Sequence, residues 1–266
     1  MKIIIPMAGR GLRFQADVDQ NPEYRKPKPL INIKGKPMIE WALESLPFLD
    51  LPKRPATTDL KVPPKDLVFI SLRQQQEDYS ITELLQSVFS KDINVVLIPE
   101  VTRGALETAL AAKDYINSDE DVIISDSDHY FDGTSLYNTI KNKDVDVEGI
   151  IPVFEPPDRE PKWSYMLFDE NKNALAVREK DPELAAKGAY ANIGAYYFTH
   201  GNTFIKEAEE MINSGNMSGP AGKQEFFVAP LYQRMIEKEM KIKAAITPTV
   251  WGLGTPKDLE HFVANS

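Results

Sequence analysis

The chain has 266 residues, 42% of them hydrophobic and 27% charged, with no cysteine and a formal net charge of −9. That length supports a sizeable core, and the missing cysteines exclude a disulfide framework and thiolate chemistry. The acidic balance excludes general nucleic-acid binding, and no stretch approaches the ~18 apolar residues of a membrane span.

In chain order, the apolar run at 2–7 reads as a buried strand and is too short for the apolar region of a signal peptide. It opens into Met7-Ala8-Gly9-Arg10-Gly11-Leu12-Arg13. Residues 14–26 are rich in charge without periodicity and are expected to form a mobile lid. Pro27-Lys28-Pro29-Leu30 holds a lysine on a stiff stretch, and Gly35-Lys36-Pro37-Met38 reads as a turn leading into a helix over 37–46. The proline-rich segment 48–66 reads as a loop insertion. Strands at 67–71, 93–98 and 121–125 alternate with helices at 80–89 and 104–116, which implies right-handed crossovers and a largely parallel sheet. After about residue 145 the rhythm changes. A strand is predicted at 149–154, a hairpin over 165–168 and 174–177, and a strand at 192–198 with Gly194 marking a close backbone approach. Helices at 202–213 and 226–238 flank a flexible loop at 213–222. A strand at 241–247 and a helix after Pro256 complete the pattern. The expectation is one domain over 1–266, with a nucleotide-binding part at 1–145 and an acceptor-binding part at 146–266.

Charge is unevenly spread. Residues 1–40 carry eight basic side chains against four acidic ones, so a basic pocket sits on an acidic protein. That arrangement suits a small polyanion, although a solvated basic face would show the same composition. The glycine loop is not a dinucleotide fingerprint, because the third glycine falls at Phe14, and no Gly-Lys-Ser/Thr of a P-loop is present. A plain turn remains open for the loop alone. Two glycines that admit close backbone approach, followed by Arg13 and Lys28, point to a nucleoside triphosphate. Asp126-Ser127-Asp128-His129 places two aspartates two residues apart at a strand end, as metal ligands or as turn caps. Asp128 is the preferred ligand, Asp126 the second candidate and His129 a supporting residue. His200 and His261 read as surface residues, and Trp163 and Trp251 as packing residues.

The combination Ala8-Gly9-Arg10-Gly11-Leu12-Arg13, Pro27-Lys28-Pro29-Leu30 and Gly35-Lys36-Pro37-Met38 resembles the signature of the sugar-phosphate nucleotidylyltransferase family. The likeness continues through Thr102-Arg103-Gly104-Ala105, Ser127-Asp128, Glu179-Lys180, Asn192-Ile193-Gly194-Ala195-Tyr196-Tyr197-Phe198 and Trp251-Gly252-Leu253-Gly254-Thr255-Pro256. It implies an α/β, Rossmann-like three-layer sandwich of the glycosyltransferase A type. The central sheet would be mixed but mainly parallel, with a small β-rich substrate lobe. Transfer of a nucleotidyl group to a small phosphorylated acceptor, with release of pyrophosphate, is the implied reaction. Arg13 and Lys28 would carry catalysis. Met7, Ala8, Gly9, Arg10, Gly11, Thr102, Gly104, Ala105 and Ser127 would bind the nucleotide. Glu179, Lys180, Asn192 and Ser164 would bind the acceptor, and Asp128 would hold Mg2+. The partners are then an NTP and a phosphorylated metabolite, with no nucleic acid and no membrane. A homo-oligomer is compatible with the sequence, and a cytoplasmic enzyme of polysaccharide supply is the family-level expectation.

Two departures stand out. The family's second metal aspartate falls at Gly252, and a glycine usually found beside the sugar falls at Ser164. Competing readings are a nucleotide-sugar-dependent glycosyltransferase and a non-catalytic nucleotide or sugar-phosphate sensor.

Overall fold

The structure, a computed structural model, describes residues 1–219, 222 and 224–266. Of the loop expected at 213–222, Pro220 and Ala221 therefore lie outside the described residues. One ten-stranded sheet organises the molecule. Its order is Ala174–Glu179, Ser164–Phe168, Tyr190–Asn192, Val147–Phe154, Ala195–Phe198, Val122–Ser125, Lys2–Pro6, Leu67–Leu72 and Asn94–Ile98. Lys241–Ile246 pairs parallel to Val147–Phe154. The last four strands of that order are all parallel to one another. Ala195–Phe198, Tyr190–Asn192 and Ala174–Glu179 run against the main direction. The expected β-rich lobe is thus the antiparallel end of the same sheet.

Alternation along the strands explains the layers. Ile4, Val68, Ile70, Val122 and Ile124 enter one core with Leu106, Ala109, Phe204 and Leu231, which belong to the helices Ala105–Leu110, Gly201–Ser214 and Ala229–Glu237. Ile3, Ile5, Leu67, Phe69 and Ile123 enter the other with Ile39, Leu43, Ile81, Leu85 and Leu136, from Met38–Glu44, Ile81–Val88 and Thr134–Lys141. A strand's period of two sends successive side chains to opposite faces, so a continuous Ile3-Ile4-Ile5 run needs helices on both sides.

The helix expected over 104–116 is two, Ala105–Leu110 and Lys113–Ile116. The strand expected at 192–198 is broken: Tyr190–Asn192 and Ala195–Phe198 flank Gly194 at φ +92°. The 48–66 insertion is folded down, with Leu49, Leu51 and Val62 buried in the second core. Its Arg54 guanidinium donates to the Leu43 carbonyl at 2.9 Å and so caps the Met38–Glu44 helix.

The segment expected to be a mobile lid is anchored at both ends. Phe14 and Tyr24 are buried in a third, smaller core with Ile31, Ile33, Met38, Leu253, Leu259 and Phe262. Tyr79 Oη also donates to the Arg25 carbonyl at 3.0 Å. Periodicity missed this because the anchors are two aromatics ten residues apart, separated by polar turns.

Candidate active site

The four parallel strands end on the same edge of the sheet, and the loops that follow them carry most of the predicted residues. After Lys2–Pro6, Met7 and Ala8 are buried while Gly9 and Arg10 emerge into solvent. Gly11 turns the chain at φ +64°, a left-handed conformation that favours glycine. Among the described residues, the N–H groups of Ala8, Gly9, Arg10 and Gly11 make no backbone hydrogen bond. A Cβ placed on Gly9 would meet nothing within 4 Å. The loop therefore presents unsatisfied donors around an open space, the arrangement that binds anions.

Lys28 stands behind this loop. Its Cβ lies 3.5 Å from where a Gly11 Cβ would be, and its Nζ lies 2.7 Å from Asp128 Oδ2. The proline-flanked lysine and the strand-end aspartate, one hundred residues apart, thus meet directly. Arg13 is exposed in the short helix Leu12–Gln15 and makes no ion pair or side-chain hydrogen bond among the described residues.

Asp126, Asp128 and His129 form a compact group whose ligand atoms all lie within 4.8 Å of one another. His129 Nδ1 is 3.0 Å from Asp128 Oδ1, while His129 Nε2 is buried without a hydrogen-bond partner among the described residues. Burial would raise the Asp128 carboxyl, but Lys28 and His129 outweigh it and hold the group well below the usual carboxylate range. Asp126 lacks such close partners. Burial, helped by the Asp128 charge and opposed by His129 and Lys28, pushes its carboxyl up to about 6. Burial would depress the His129 imidazole, yet its hydrogen bond to Asp128 raises it.

Two glycines make room for this group. A Cβ on Gly194 would come within 2.3 Å of His129 Nε2 and 2.6 Å of Asp126 Oδ2, and one on Gly254 within 2.8 Å of Asp128 Oδ2. The close approach expected at Gly194 is therefore to the acidic group itself. Gly252 points elsewhere. Its missing Cβ faces Asp258, whose carboxylate already accepts from Thr255 Oγ1 at 2.6 Å, the hydroxyl that caps the final helix by accepting from Asp258 N–H. Ser127 is buried between the two aspartates.

The antiparallel end supplies a second group. Asn192 Nδ2 donates to Ser164 Oγ at 3.0 Å, and Asn192 Oδ1 is buried without a partner among the described residues. Glu179 is cross-strand to Ser164, and its carboxylate lies 3.6 Å from Lys180 Nζ. Burial raises the Glu179 carboxyl, with Lys180 and Ser164 drawing it partly back down. Lys180 sits in the left-handed region at φ +52°, unusual for a long side chain. The Glu179 charge also raises the Asp126 carboxyl, so the two groups lie within electrostatic range of one another. Buried Tyr196 lies within the field of Asp126, Glu179 and Asp128 and was not foreseen; Tyr in an apolar-looking strand carries no signal of which way its hydroxyl faces.

Thr102, Gly104 and Ala105 form a third element. Thr102 Oγ1 is turned inward, donating to the Gly104 carbonyl at 2.9 Å and lying 2.6 Å from Thr108 Oγ1. Gly104 at φ +149° is pressed against Phe226, where a Cβ would come within 2.4 Å of the Phe226 carbonyl oxygen. Trp251 packs on Phe262 as expected, and Trp163 packs edge-on against Phe154 with its indole N–H buried and, among the described residues, unpartnered.

Comparison with known proteins follows the same lines. A family model described as nucleotidyl transferase matches residues 24–259. The bifunctional protein GlmU of Fervidobacterium nodosum is 23% identical over 220 residues, covering 82% of this chain and 41% of GlmU. The chain therefore spans about two fifths of that relative's length. The fold is shared with the nucleoside-diphosphate-sugar pyrophosphorylase from Vibrio cholerae RC9, at TM-score 0.71 and 20% identity over 99% of this chain and 100% of that one. It is also shared with the inositol-1-phosphate CTP transferase from T. maritima, at TM-score 0.67 and 14% identity over 100% and 96% of the two chains. With its family model matching nearly the whole length, the chain belongs to the nucleotidyl transferase family.

Proposed function

We propose that the protein transfers a nucleotidyl group from a nucleoside triphosphate to a sugar phosphate or similar small phosphorylated acceptor. An oxygen of the acceptor phosphate attacks the α-phosphorus, the bond from that phosphorus to the bridging oxygen breaks, and pyrophosphate leaves. The attacking oxygen is already anionic, so no general base is needed; the work is positioning and charge neutralisation. The observation that carries this reading is the meeting of the open glycine loop, Lys28 and Asp128 at one edge of the sheet.

In this scheme the N–H groups of Ala8 to Gly11 cradle the triphosphate, and exposed Arg13 reaches the departing pyrophosphate. Lys28 neutralises charge shared between the α-phosphate and the attacking group. The loop of Thr102, Gly104 and Ala105 forms the base pocket, with Met7 and Ser127 shaping its floor. Lys180 binds the acceptor phosphate. Glu179 and Asn192 accept from acceptor hydroxyls, which would satisfy the orphan Asn192 Oδ1, and Ser164 holds Asn192 in place.

Hard carboxylate oxygens within reach of one another fit magnesium, which often keeps several waters and needs only one or two carboxylates. Asp128 would hold it, with Asp126 as the second carboxylate in place of the one missing at Gly252. Bound there, it would supply charge neutralisation to the triphosphate. No helix among the described residues is long and apolar enough to cross a membrane, and a reaction that consumes an NTP fits a cytoplasmic setting.

The test is pyrophosphate release with each NTP, dTTP included, against a panel containing glucose 1-phosphate and inositol 1-phosphate, in the presence of Mg2+. Turnover with pyrophosphate as product supports the proposal. Release of an intact nucleoside diphosphate from a nucleotide sugar would replace it with a glycosyltransferase, and ligand binding without turnover would replace it with a sensor.

A further inference from the structure

The nucleotide loop and the acceptor lysine are joined by two consecutive aromatic residues. Phe226 is fully buried, and its backbone is locked to the loop: its N–H donates to the Arg103 carbonyl at 2.9 Å, and its carbonyl accepts from Leu106 N–H at 3.0 Å. The Arg103 guanidinium lies over the Phe226 ring at 4.9 Å. Phe227, the next residue, places its ring 4.9 Å from Lys180 Nζ. Lys180 is otherwise poorly held. It follows the end of the Ala174–Glu179 strand in a left-handed conformation that L-residues disfavour, and its carboxylate partner Glu179 is 3.6 Å away. A four-carbon side chain on such a turn has many rotamers, and the aromatic face selects among them.

We propose that Phe227 is a positioning residue: its ring orients the Lys180 ammonium, and its peptide link to Phe226 fixes that ring relative to the Arg103–Leu106 loop. The distance between base pocket and acceptor phosphate is then set by one dipeptide. This rests on the reading of Lys180 as a phosphate ligand, and the test separates the two.

The experiment labels the full chain with acetic anhydride and follows Lys180 by peptide mass spectrometry across a titration of inorganic phosphate, with Lys28 followed in the same samples. In the wild type, phosphate protects Lys180. Phe227→Leu raises the phosphate concentration for half-protection of Lys180 about fivefold, the size of one exposed cation–π contact, while leaving Lys28 unchanged. Phe227→Tyr keeps the ring and the wild-type value. Phe227→Met serves as a second ring-free variant should the leucine variant fold poorly. An absence of protection at Lys180 in the wild type overturns the acceptor reading and this inference with it. Protection in the wild type that persists unchanged in the ring-free variants overturns the role of Phe227 alone. An equal shift at Lys28 marks general loosening and also overturns it.

Discussion

The two halves of the site are built differently. On the parallel side Arg13 and the glycine loop stand open: among the described residues Arg13 is exposed and unpaired, and the loop N–H groups make no backbone hydrogen bond. On the antiparallel side the acceptors are buried: Asn192 is hydrogen-bonded to Ser164, and the Glu179 carboxylate is enclosed beside them. The first arrangement suits a highly charged ligand that brings its own acceptors and is recognised by charge. The second suits a ligand recognised by shape and hydrogen bonding, because its donors and acceptors are already oriented before binding. Selectivity for the acceptor should therefore reside in the antiparallel half, and catalytic power in the parallel half.

The largest effect should come from the residue on which both halves close. Gly194→Ala drives a methyl into His129 and Asp126 at a positive φ, and should cost about 3 kcal/mol of stability or more, read by thermal or denaturant unfolding. A variant as stable as the wild type would show that the two halves are less tightly joined than the geometry implies. Next, Lys28→Ala should lower turnover about a hundredfold, equivalent to ~3 kcal/mol of lost transition-state stabilisation. The variant should still fold, since His129 remains paired with Asp128 at 3.0 Å, and thermal unfolding separates any loss of stability from the loss of turnover. Normal turnover in folded Lys28→Ala protein removes the parallel half from catalysis.

A smaller, one-sided effect is expected at Asn192. Asn192→Ala should raise KM for the acceptor about tenfold, the value of a hydrogen bond or two, and leave KM for the NTP unchanged. An equal rise in both would erase the contrast between the halves. The smallest effect concerns pH. Burial raises the Glu179 carboxyl above 4.5. A raised carboxyl contributes stability that is complete below its unfolded pKa and is lost as pH rises through the folded value. Glu179→Gln removes that loss, so the variant should melt above the wild type at pH 8, with the gap closing near pH 4. A gap that widens toward low pH would show that the charged form is the favoured one.

Much of this was legible in the sequence, for identifiable reasons. Ile3-Ile4-Ile5, the helix-spaced Leu106 and Ala109 and the Asp169–Asn173 turn each carry a local signal, and each lies in the element that the signal predicts. The Lys28–Asp128 contact is different in kind. Motif order suggested that both belong to one site, but a hundred-residue separation carries no local trace of a 2.7 Å approach. Gly194 was flagged because glycine is costly within a strand, whereas Gly254 was not, since glycine in a turn-rich stretch is ordinary. Phe226 and Phe227 read simply as the start of a helix that in fact begins at Ala229. Their separate tasks appear only when the Arg103 loop and Lys180 are brought to either side of them.

The small third core has a consequence of its own. Phe14 and Tyr24, which bracket the residues after Arg13, share their packing with Leu259 and Phe262 of the Pro256–Asn265 helix. That helix acts as a latch on the arginine's tether. Trimming it away should leave the two large cores standing but set the Arg13 segment adrift, so that a change at the far end of the sequence is felt first beside the glycine loop.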